Sequence, residues 1–578
     1  MIELDTLRHS CSHVMAQAVK ELFPAVKIAI GPSIEDGFYY DFEKEEPFVP
    51  ADLERIEAGM RRIVSANLPF TREEWPKEKA RAFFQKHQET YKLELVEKIP
   101  GPTVTVYHTG DTFMDLCRGP HVASTGRIGA FKLLSIAGAY WRGDERNQML
   151  QRIYGTCFST PAELDAYVKQ REEAQKRDHR KLGVELEFFA MSPEMGAGIV
   201  LYLPKGALVR GIIEDYEKVE HRKRGYHMVI GPHIMKSDIW IRSGHYEYYK
   251  DNMYIFPIEG QEYAIKPMNC PGHIMAYQTR IRSYKELPLR FFELGTVYRN
   301  EKSGVLHGLL RVRGFTQDDA HIFCTEEQLK DEIKAIINFV ADTMKVFGFD
   351  QWHVELSTRP VKSIGSDTAW DRATSALRES LEEKGLAFDV NEGDGAFYGP
   401  KIDIKLKDAL GRSWQCATIQ CDFALPERFD LSYAAADGTL KRPIMLHRVL
   451  LGSLERFMGA LIEHYAGALP VWLSPVQIKV IAVTDNQHAY ALQVAQELIE
   501  ADLRVETDLR NEKIGAKIRD AAMQKIPYIV VIGEKEVIAG TIAVRSERGP
   551  QKGKTEYNVL LAAFRDRVSA EVKTRSVS

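Results

Sequence analysis

Cysteine is scarce in this 578-residue chain. The seven present (Cys11, Cys117, Cys157, Cys270, Cys324, Cys416 and Cys421) are odd in number and lack the spacing of a disulfide framework. That argues against a stapled secreted scaffold and makes a reducing cytoplasm the expected compartment. Long apolar runs are missing too. No stretch approaches the ~20 apolar residues that a membrane helix needs. The start, MIELDTLRHS, has neither the basic segment nor the apolar core of a secretory signal, so neither secretion nor membrane insertion is expected. Nor is there an excess of one charge: 77 Lys and Arg against 81 Asp and Glu leave −4, so any nucleic-acid surface must be local. The remaining composition, 44% hydrophobic and 27% charged, is that of a globular protein, and the length holds about three or four domains.

The stretch from Leu289 to Phe323 reads as a long antiparallel hairpin, apolar and aromatic in its first arm, with Gly304 and Gly308 in the middle and alternation in its second arm. Period two places Arg311, Arg313, Phe315, Gln317, Asp319 and His321 on one face. Cations for phosphate, an aromatic for a purine, an acid for an amine and a metal-ligand type in one row describe a site for a nucleotide plus an amino acid. A solvated sheet face is the bland alternative, but such faces seldom mix these groups with so little Lys and Glu.

Elsewhere, TLRHSCSHVMAQAVKELFP reads as a helix capped by Thr6 or Asp5, with Pro24 beyond its end. His9 and His13, four apart, share one face of it, and Cys117 and His121 repeat that spacing. Taken alone, the quartet is a moderate metal-site signal. Residues 161–182 read as a charged helix with a thin apolar stripe, suited to linking domains or to touching RNA phosphates. From Val471 onward, alternating strands and helices predict a small α/β domain with a mostly parallel sheet.

Arg299-Asn300-Glu301 followed by Arg311-x-x-x-Phe315 resembles motif 2 of the class II aminoacyl-tRNA synthetases. The strings KPMNCPGH (Lys266 to His273), RGFTQDDAHIF (Arg313 to Phe323) and LHRVLLGSLERF (Leu446 to Phe457) narrow the resemblance to the threonyl-tRNA synthetases, over essentially the whole chain. It implies a multidomain α+β and α/β fold: an N-terminal α+β editing domain (1–160), a linker helix (161–182), a class II antiparallel-sheet catalytic core (183–470) and a C-terminal α/β anticodon-binding domain (471–578). The short form lacking an N-terminal ubiquitin-like domain is the one it resembles.

The activity implied is ATP-dependent ligation of L-threonine to tRNA(Thr) through a threonyl-adenylate, with hydrolysis of mischarged seryl-tRNA(Thr). The partners implied are ATP with Mg²⁺, threonine, tRNA and a second copy in a homodimer built on motif 1, around Gly231-Pro232. By resemblance, Cys270, His321 and His447 hold one zinc ion; Arg299, Glu301, Arg311, Phe315 and the motif 3 residue Arg456 bind ATP; and Asp319, Gln317, Tyr398, Gln415 and Gln420 face threonine. Lys401 faces the substrate, and His245 assists transfer near the terminal ribose. His9, His13, Tyr40, Lys92, Asp115, Cys117 and His121 form the editing pocket, and Asn511, Glu536 and Arg545 contact the anticodon. After the last strand the family tends to basic residues where this chain has Glu547. The rival readings are a catalytically reduced paralogue that binds RNA or regulates, and a synthetase for another amino acid such as proline. Arg299, Phe315, Arg456 and the complete zinc-ligand set argue against the first; the zinc set and the editing module argue against the second.

Overall fold

The computed structural model of the chain describes residues 3–144, 146–408 and 410–575, in two compact units, Met1–Glu172 and Glu173–Ser578. In the first unit, helix α1 (Leu4–Leu22) is buried without a break from Ser10 to Val19. It begins earlier than the expected Thr6 or Asp5 cap. Glu3 stands at the cap position with no side-chain bond, and Asp5 sits in the first turn, where a carboxylate suits the helix dipole.

Around α1 stand β1 (Gly37–Glu43), α2 (Pro50–Ser65), β2 (Phe70–Pro76), α3 (Thr90–Lys98), β3 (Thr103–Thr109), β4 (Phe113–Leu116), β5 (Ala130–Tyr140) and β6 (Met149–Phe158). Strands β1, β6 and β5 pair antiparallel in that order, and β2, β3 and β4 form a second antiparallel sheet. Val14, Val19, Phe38, Phe42, Ile56 and Ile153 close the core between helices and the first sheet.

The single linker helix expected over 161–182 is two helices, α4 (Pro161–Lys176) and α5 (His179–Glu185). Asp178 accepts the Arg180 amide at 2.8 Å, so it caps a new helix where the old one stops. Helix α4 buries none of its residues, as its thin apolar stripe implies.

The second unit continues with α6 (Pro204–Lys223), β7 (His227–Met228), α7 (Cys270–Tyr277), β8 (Leu289–Tyr298), β9 (Gly314–Cys324), α8 (Leu329–Val346), β10 (Trp352–Ser357), α9 (Asp367–Glu383), β11 (Asp389–Asn391), β12 (Lys401–Lys407), β13 (Ser413–Asp422), β14 (Ile444–Val449) and α10 (Leu454–His464). Its eight-stranded sheet runs β7-β8-β9-β14-β13-β12-β10-β11, antiparallel except for the parallel edge pairs β7·β8 and β10·β11. Alternation in β9 sends Ala320, Ile322 and Cys324 into the core shared with Ile333, Ile336 and Val340 of α8. Gln317, Asp319 and His321 therefore face the other side.

The hairpin expected over Leu289 to Phe323 is β8 and β9, with Phe291 opposite His321 and Gly295 opposite Gln317. Its second arm is shorter than the alternation suggested. Arg311 and Arg313 precede the strand, because the chain turns at His307–Arg311 and Arg313 Nε reaches back to the Glu301 carbonyl at 2.9 Å. Only Phe315 onward keeps the expected face.

The C-terminal part holds β15 (Ile478–Ala482), α11 (His488–Glu500), β16 (Val505–Asp508), α12 (Ile514–Met523), β17 (Tyr528–Ile532), β18 (Ile542–Ser546) and β19 (Thr555–Val559). The sheet order is β16-β15-β17-β18-β19, parallel through β16, β15 and β17 and antiparallel beyond. The expected mostly parallel sheet is thus parallel in only half its pairings. The connection from β17 to β18 is too short for a parallel crossover, which needs a dozen or more residues.

Candidate functional site

On the open face of the large sheet lies a cavity of about 630 Å³. Among the residues lining it Cys270, His321 and His447 converge, all buried, with ligand atoms mutually within 4.8 Å. They come from the first turn of α7 and from the facing positions of β9 and β14, where His321 and His447 are register partners. His321 Nε2 and His447 Nδ1 stand 3.0 Å apart.

Their outer nitrogens are held from behind. His447 Nε2 meets Asp422 Oδ2 at 2.8 Å, and His321 Nδ1 meets His273 Nδ1 at 2.8 Å. His273 Nε2 in turn lies 3.3 Å from Glu293 Oε2. Burial pushes the Glu293 carboxyl up, but bonds from His273, Lys266 and the Gly231 amide outweigh it and bring its pKa down to about 2. Donation from His273 Nε2–H to that carboxylate leaves His273 Nδ1 to accept from His321 Nδ1–H, and so leaves a lone pair on His321 Nε2. Burial, with His273 and His447 beside it, holds the His321 pKa well below the usual imidazole range. Two inward lone pairs plus a thiol make a three-ligand set with room for further ligands, and the chemistry of the donors fits zinc.

Next to this set, Asp319 Oδ2 accepts from Asn269 Nδ2 at 3.0 Å, and burial raises the Asp319 pKa. Gln317, Gln420 and Tyr398 line the same cavity, with the Tyr398 hydroxyl donating to Gln420 Oε1. Gln415 also lines the cavity; its amide donates to Asp403 Oδ1 at 2.8 Å.

The same cavity is lined by cations. Arg299 lies with its guanidinium carbon 5.0 Å over the Phe315 ring, Arg311 pairs with Glu301 at 3.0 Å, and Arg456 donates from Nε to the Leu310 carbonyl at 3.3 Å. Burial lowers the Arg456 pKa, with the repulsion of Arg299 and Arg311 adding to it.

Two expected residues are not among those lining the cavity. Lys401 turns its ammonium to Asp403 at 2.8 Å and Asp394 at 3.1 Å, so it reaches Gln415 and Thr418 only through Asp403, which accepts from both. His245 is fully buried behind Cys270, its Nδ1 on Ser243 Oγ at 2.7 Å and its Nε2 3.9 Å from the thiol.

In the first unit the seven expected pocket residues do meet. His9, His13, Cys117 and His121 present ligand-type atoms mutually within 4.8 Å. Cys117 Sγ is 3.3 Å from His9 Nε2 and 3.2 Å from His121 Nε2, and burial pushes its thiol up to about 11. Lys92 donates to the Tyr40 hydroxyl at 2.8 Å, Tyr40 to Asp115 Oδ2 at 2.5 Å, and Lys92 also pairs with Asp115. His13 Nδ1 is 3.7 Å from the same carboxylate and has no hydrogen-bond partner among the described residues.

Sequence reasoning missed Ser10. Its hydroxyl lies 2.8 Å from the Thr6 carbonyl, its oxygen accepts the Val122 amide at 3.0 Å, and His121 Nδ1 approaches at 3.1 Å. Asp422, Asn269, His273 and Glu293 were missed as well. The C-x-x-H spacing of Cys270 and His273 at a helix start, with Asn269 as its cap, and the adjacency of Ser10 to His9 were the local signals; Asp422 and Glu293 meet the site only through tertiary pairing.

The three expected anticodon residues sit apart in the C-terminal part. Asn511 follows β16, Glu536 accepts the Gly533 amide at 2.9 Å, and Arg545 on β18 pairs with Glu547 at 2.6 Å. Among the described residues no hydrogen bond or ion pair joins them.

Comparison with known proteins matches residues 254–465 to the class II tRNA synthetase core domain (G, H, P, S and T), 477–569 to an anticodon binding domain, and 104–154 to the threonyl and alanyl tRNA synthetase second additional domain. Threonine–tRNA ligase of Pelobacter propionicus is 60% identical over 94% of this chain and 86% of its own length. The chain belongs to the threonyl-tRNA synthetases. A second threonyl-tRNA synthetase, from Citrifermentans bemidjiense, is 57% identical over 99% of this chain and 89% of its own. A solved structure, the RNA binding domain of the Cryptosporidium parvum threonyl-tRNA synthetase, superposes with a TM-score of 0.65 at 40% identity, covering 68% of this chain and 98% of that one. The protein is thus a ligase with a class II core, an anticodon-binding domain and an editing-type domain.

Proposed function

We propose that the large cavity activates threonine with ATP and Mg²⁺ to a threonyl-adenylate and passes it to tRNA(Thr), and that the His/Cys pocket of the first unit hydrolyses seryl-tRNA(Thr). The observation that carries this is the convergence, in one cavity, of the Cys270/His321/His447 set, Asp319 and the Arg299/Phe315/Arg456 group.

Cys270, His321 and His447 would hold zinc, which supplies coordination for the amino group and hydroxyl of threonine. Asp319, fixed by Asn269, takes the ammonium; Gln317, Tyr398 and Gln420 close round the side chain. Arg299 and Arg456 neutralise phosphate charge, with Arg311 and Glu301 beside them, and the Phe315 ring offers a face to adenine. Lys401 orders Asp403 and Gln415, and His245 backs Cys270 near the transfer end. Positioning and charge neutralisation are enough for this chemistry.

Reading the hydroxyl explains why a second site exists. Valine leaves a polar site unpaired and is rejected by ~10⁴ or more, whereas serine lacks only a methyl, worth ~1–3 kcal/mol. Correction after transfer then falls to the first unit, where His9, His13, Cys117 and His121 with Tyr40, Lys92 and Asp115 orient water at the ester. Domains 1–160, 161–182, 183–470 and 471–578 divide this work, with Asn511, Glu536 and Arg545 toward the anticodon. Met228, Ile230 and Ile234 of the motif 1 segment are 52%, 83% and 47% exposed, an apolar face that a homodimer would cover. A cytoplasmic location goes with a translation enzyme.

The deciding measurement is ATP–pyrophosphate exchange with each of the twenty amino acids. Threonine should support it best by far and serine weakly. Exchange led by another amino acid, or none at all, would overturn the proposal.

A further inference from the structure

Asp178, His179 and Glu463 form a third group whose ligand-type atoms lie within 4.8 Å of one another. It is not an open metal set, because both ring nitrogens of the fully buried His179 are engaged. The Leu309 amide donates to His179 Nε2 at 3.0 Å, and His179 Nδ1 meets Glu463 Oε1 at 2.6 Å. A backbone N–H can only donate, so Nε2 carries the lone pair and Nδ1 the proton, which goes to the Glu463 carboxylate. Glu463 also accepts the His179 amide at 3.1 Å, and its other oxygen is 2.6 Å from Arg412.

Leu309 belongs to the turn before β9 that carries the expected nucleotide contacts. Within this turn the Leu310 and Arg311 amides both point at the His307 carbonyl, at 2.9 and 3.3 Å, whereas the Leu309 amide leaves the turn for His179. One residue on, the Leu310 carbonyl accepts from Arg456 Nε, and Arg311 then pairs with Glu301.

Arg456, Gly459 and Glu463 lie three and then four residues apart, on one face of α10. A Cβ on Gly459 would stand 3.1 Å from the Leu310 side chain and 3.6 Å from the His179 ring. On the turn side Gly308 has φ +49°, and a Cβ there would come within 2.1 Å of His179 Nε2. The turn side of the joint is therefore cut to admit this imidazole, and the α10 side to admit Leu310 beside it.

We infer that His179 is a positioning residue for ATP. It pins the turn 307–311 to α10 and so sets Leu310, Arg311 and Arg456 relative to one another, without touching substrate. The inference rests on the reading of Arg311 and Arg456 as nucleotide contacts.

The test is threonine-dependent ATP–pyrophosphate exchange by the full chain carrying His179→Ala, His179→Gln, Gly308→Ala or Arg456→Ala, with thermal melting of each. Loss of an acceptor for a buried amide predicts that His179→Ala raises the KM for ATP about tenfold or more. The KM for threonine should stay within about twofold. His179→Gln keeps an acceptor for the Leu309 amide and should recover most of the ATP affinity. Gly308→Ala pushes on the same joint from the turn and should reproduce the ATP defect even where His179→Ala folds poorly. An unchanged KM for ATP in folded His179→Ala, equal rises in both KM values, or no advantage of Gln over Ala overturns the inference while leaving the site assignment standing. If Arg456→Ala also binds ATP normally, the nucleotide assignment itself falls and the inference with it.

Discussion

Single residues behind the ligands decide whether Cys270, His321 and His447 can hold a metal. Asp422 takes the outer proton of His447, and the Lys266–Glu293–His273 chain directs that of His321, so both rings turn a lone pair inward. Metal analysis should find one zinc per chain, absent from Cys270→Ser and His447→Ala together with threonine activation. Asp422→Asn should keep the ligands yet weaken zinc by about tenfold to a hundredfold. A fully active zinc-free enzyme would sink this assignment, and zinc persisting in both ligand variants would move the metal to the quartet of the first unit. Glu293 adds an acid-sensitive element. Its pKa falls from the ordinary 4.5 to about 2 in the folded chain, so its stabilisation is complete above about pH 4.5 and is lost as pH drops towards 2. The size is on the order of 3 kcal/mol. Urea midpoints followed from pH 6 to pH 3 should fall less steeply for Glu293→Gln than for the parent; parallel curves would show that Glu293 is not tuned as described.

At the scale of elements, the hairpin was legible because its code is local. Period two in 314–324 put Gln317, Asp319 and His321 on one side of β9 before any partner strand was known, and the apolar alternates proved to face α8. Arg311 and Arg313 have the same spacing but were misread as strand, since nothing local announced the turn that His179 and Glu301 stabilise. Likewise Lys401 is recognisable in sequence, yet its orientation depends on Asp394 and Asp403, one of them outside its strand. Gly295 shows how closely β8 is fitted to the site. A Cβ there would stand 2.4 Å from the Asn269 amide, the group that fixes Asp319. Gly295→Ala should therefore raise the KM for threonine several-fold with little change for ATP, read in the exchange assay. An ATP defect of equal size would mean that the strand, rather than Asn269, had moved.

At the scale of the whole molecule, each of the two units carries a His/Cys cluster of its own. Arg299→Ala should abolish adenylate formation yet leave hydrolysis of pre-made seryl-tRNA largely intact, since His9, His13, Cys117 and His121 belong to the first unit and Arg299 to the second. The converse variant is more demanding. His13 is buried, and burial together with His9 and Lys92 holds its pKa well below the usual imidazole range, so at neutral pH it is an uncharged ring with a free nitrogen near Asp115. Such a group can accept a hydrogen bond from a water and so orient it. His13→Ala should then charge threonine at close to the parent rate while seryl-tRNA, which the hydroxyl-reading site cannot reject strongly, accumulates in the presence of ATP and serine. Misacylation no greater than that of the parent chain would remove the editing role from the first unit and leave its quartet as a metal site or a packed cluster.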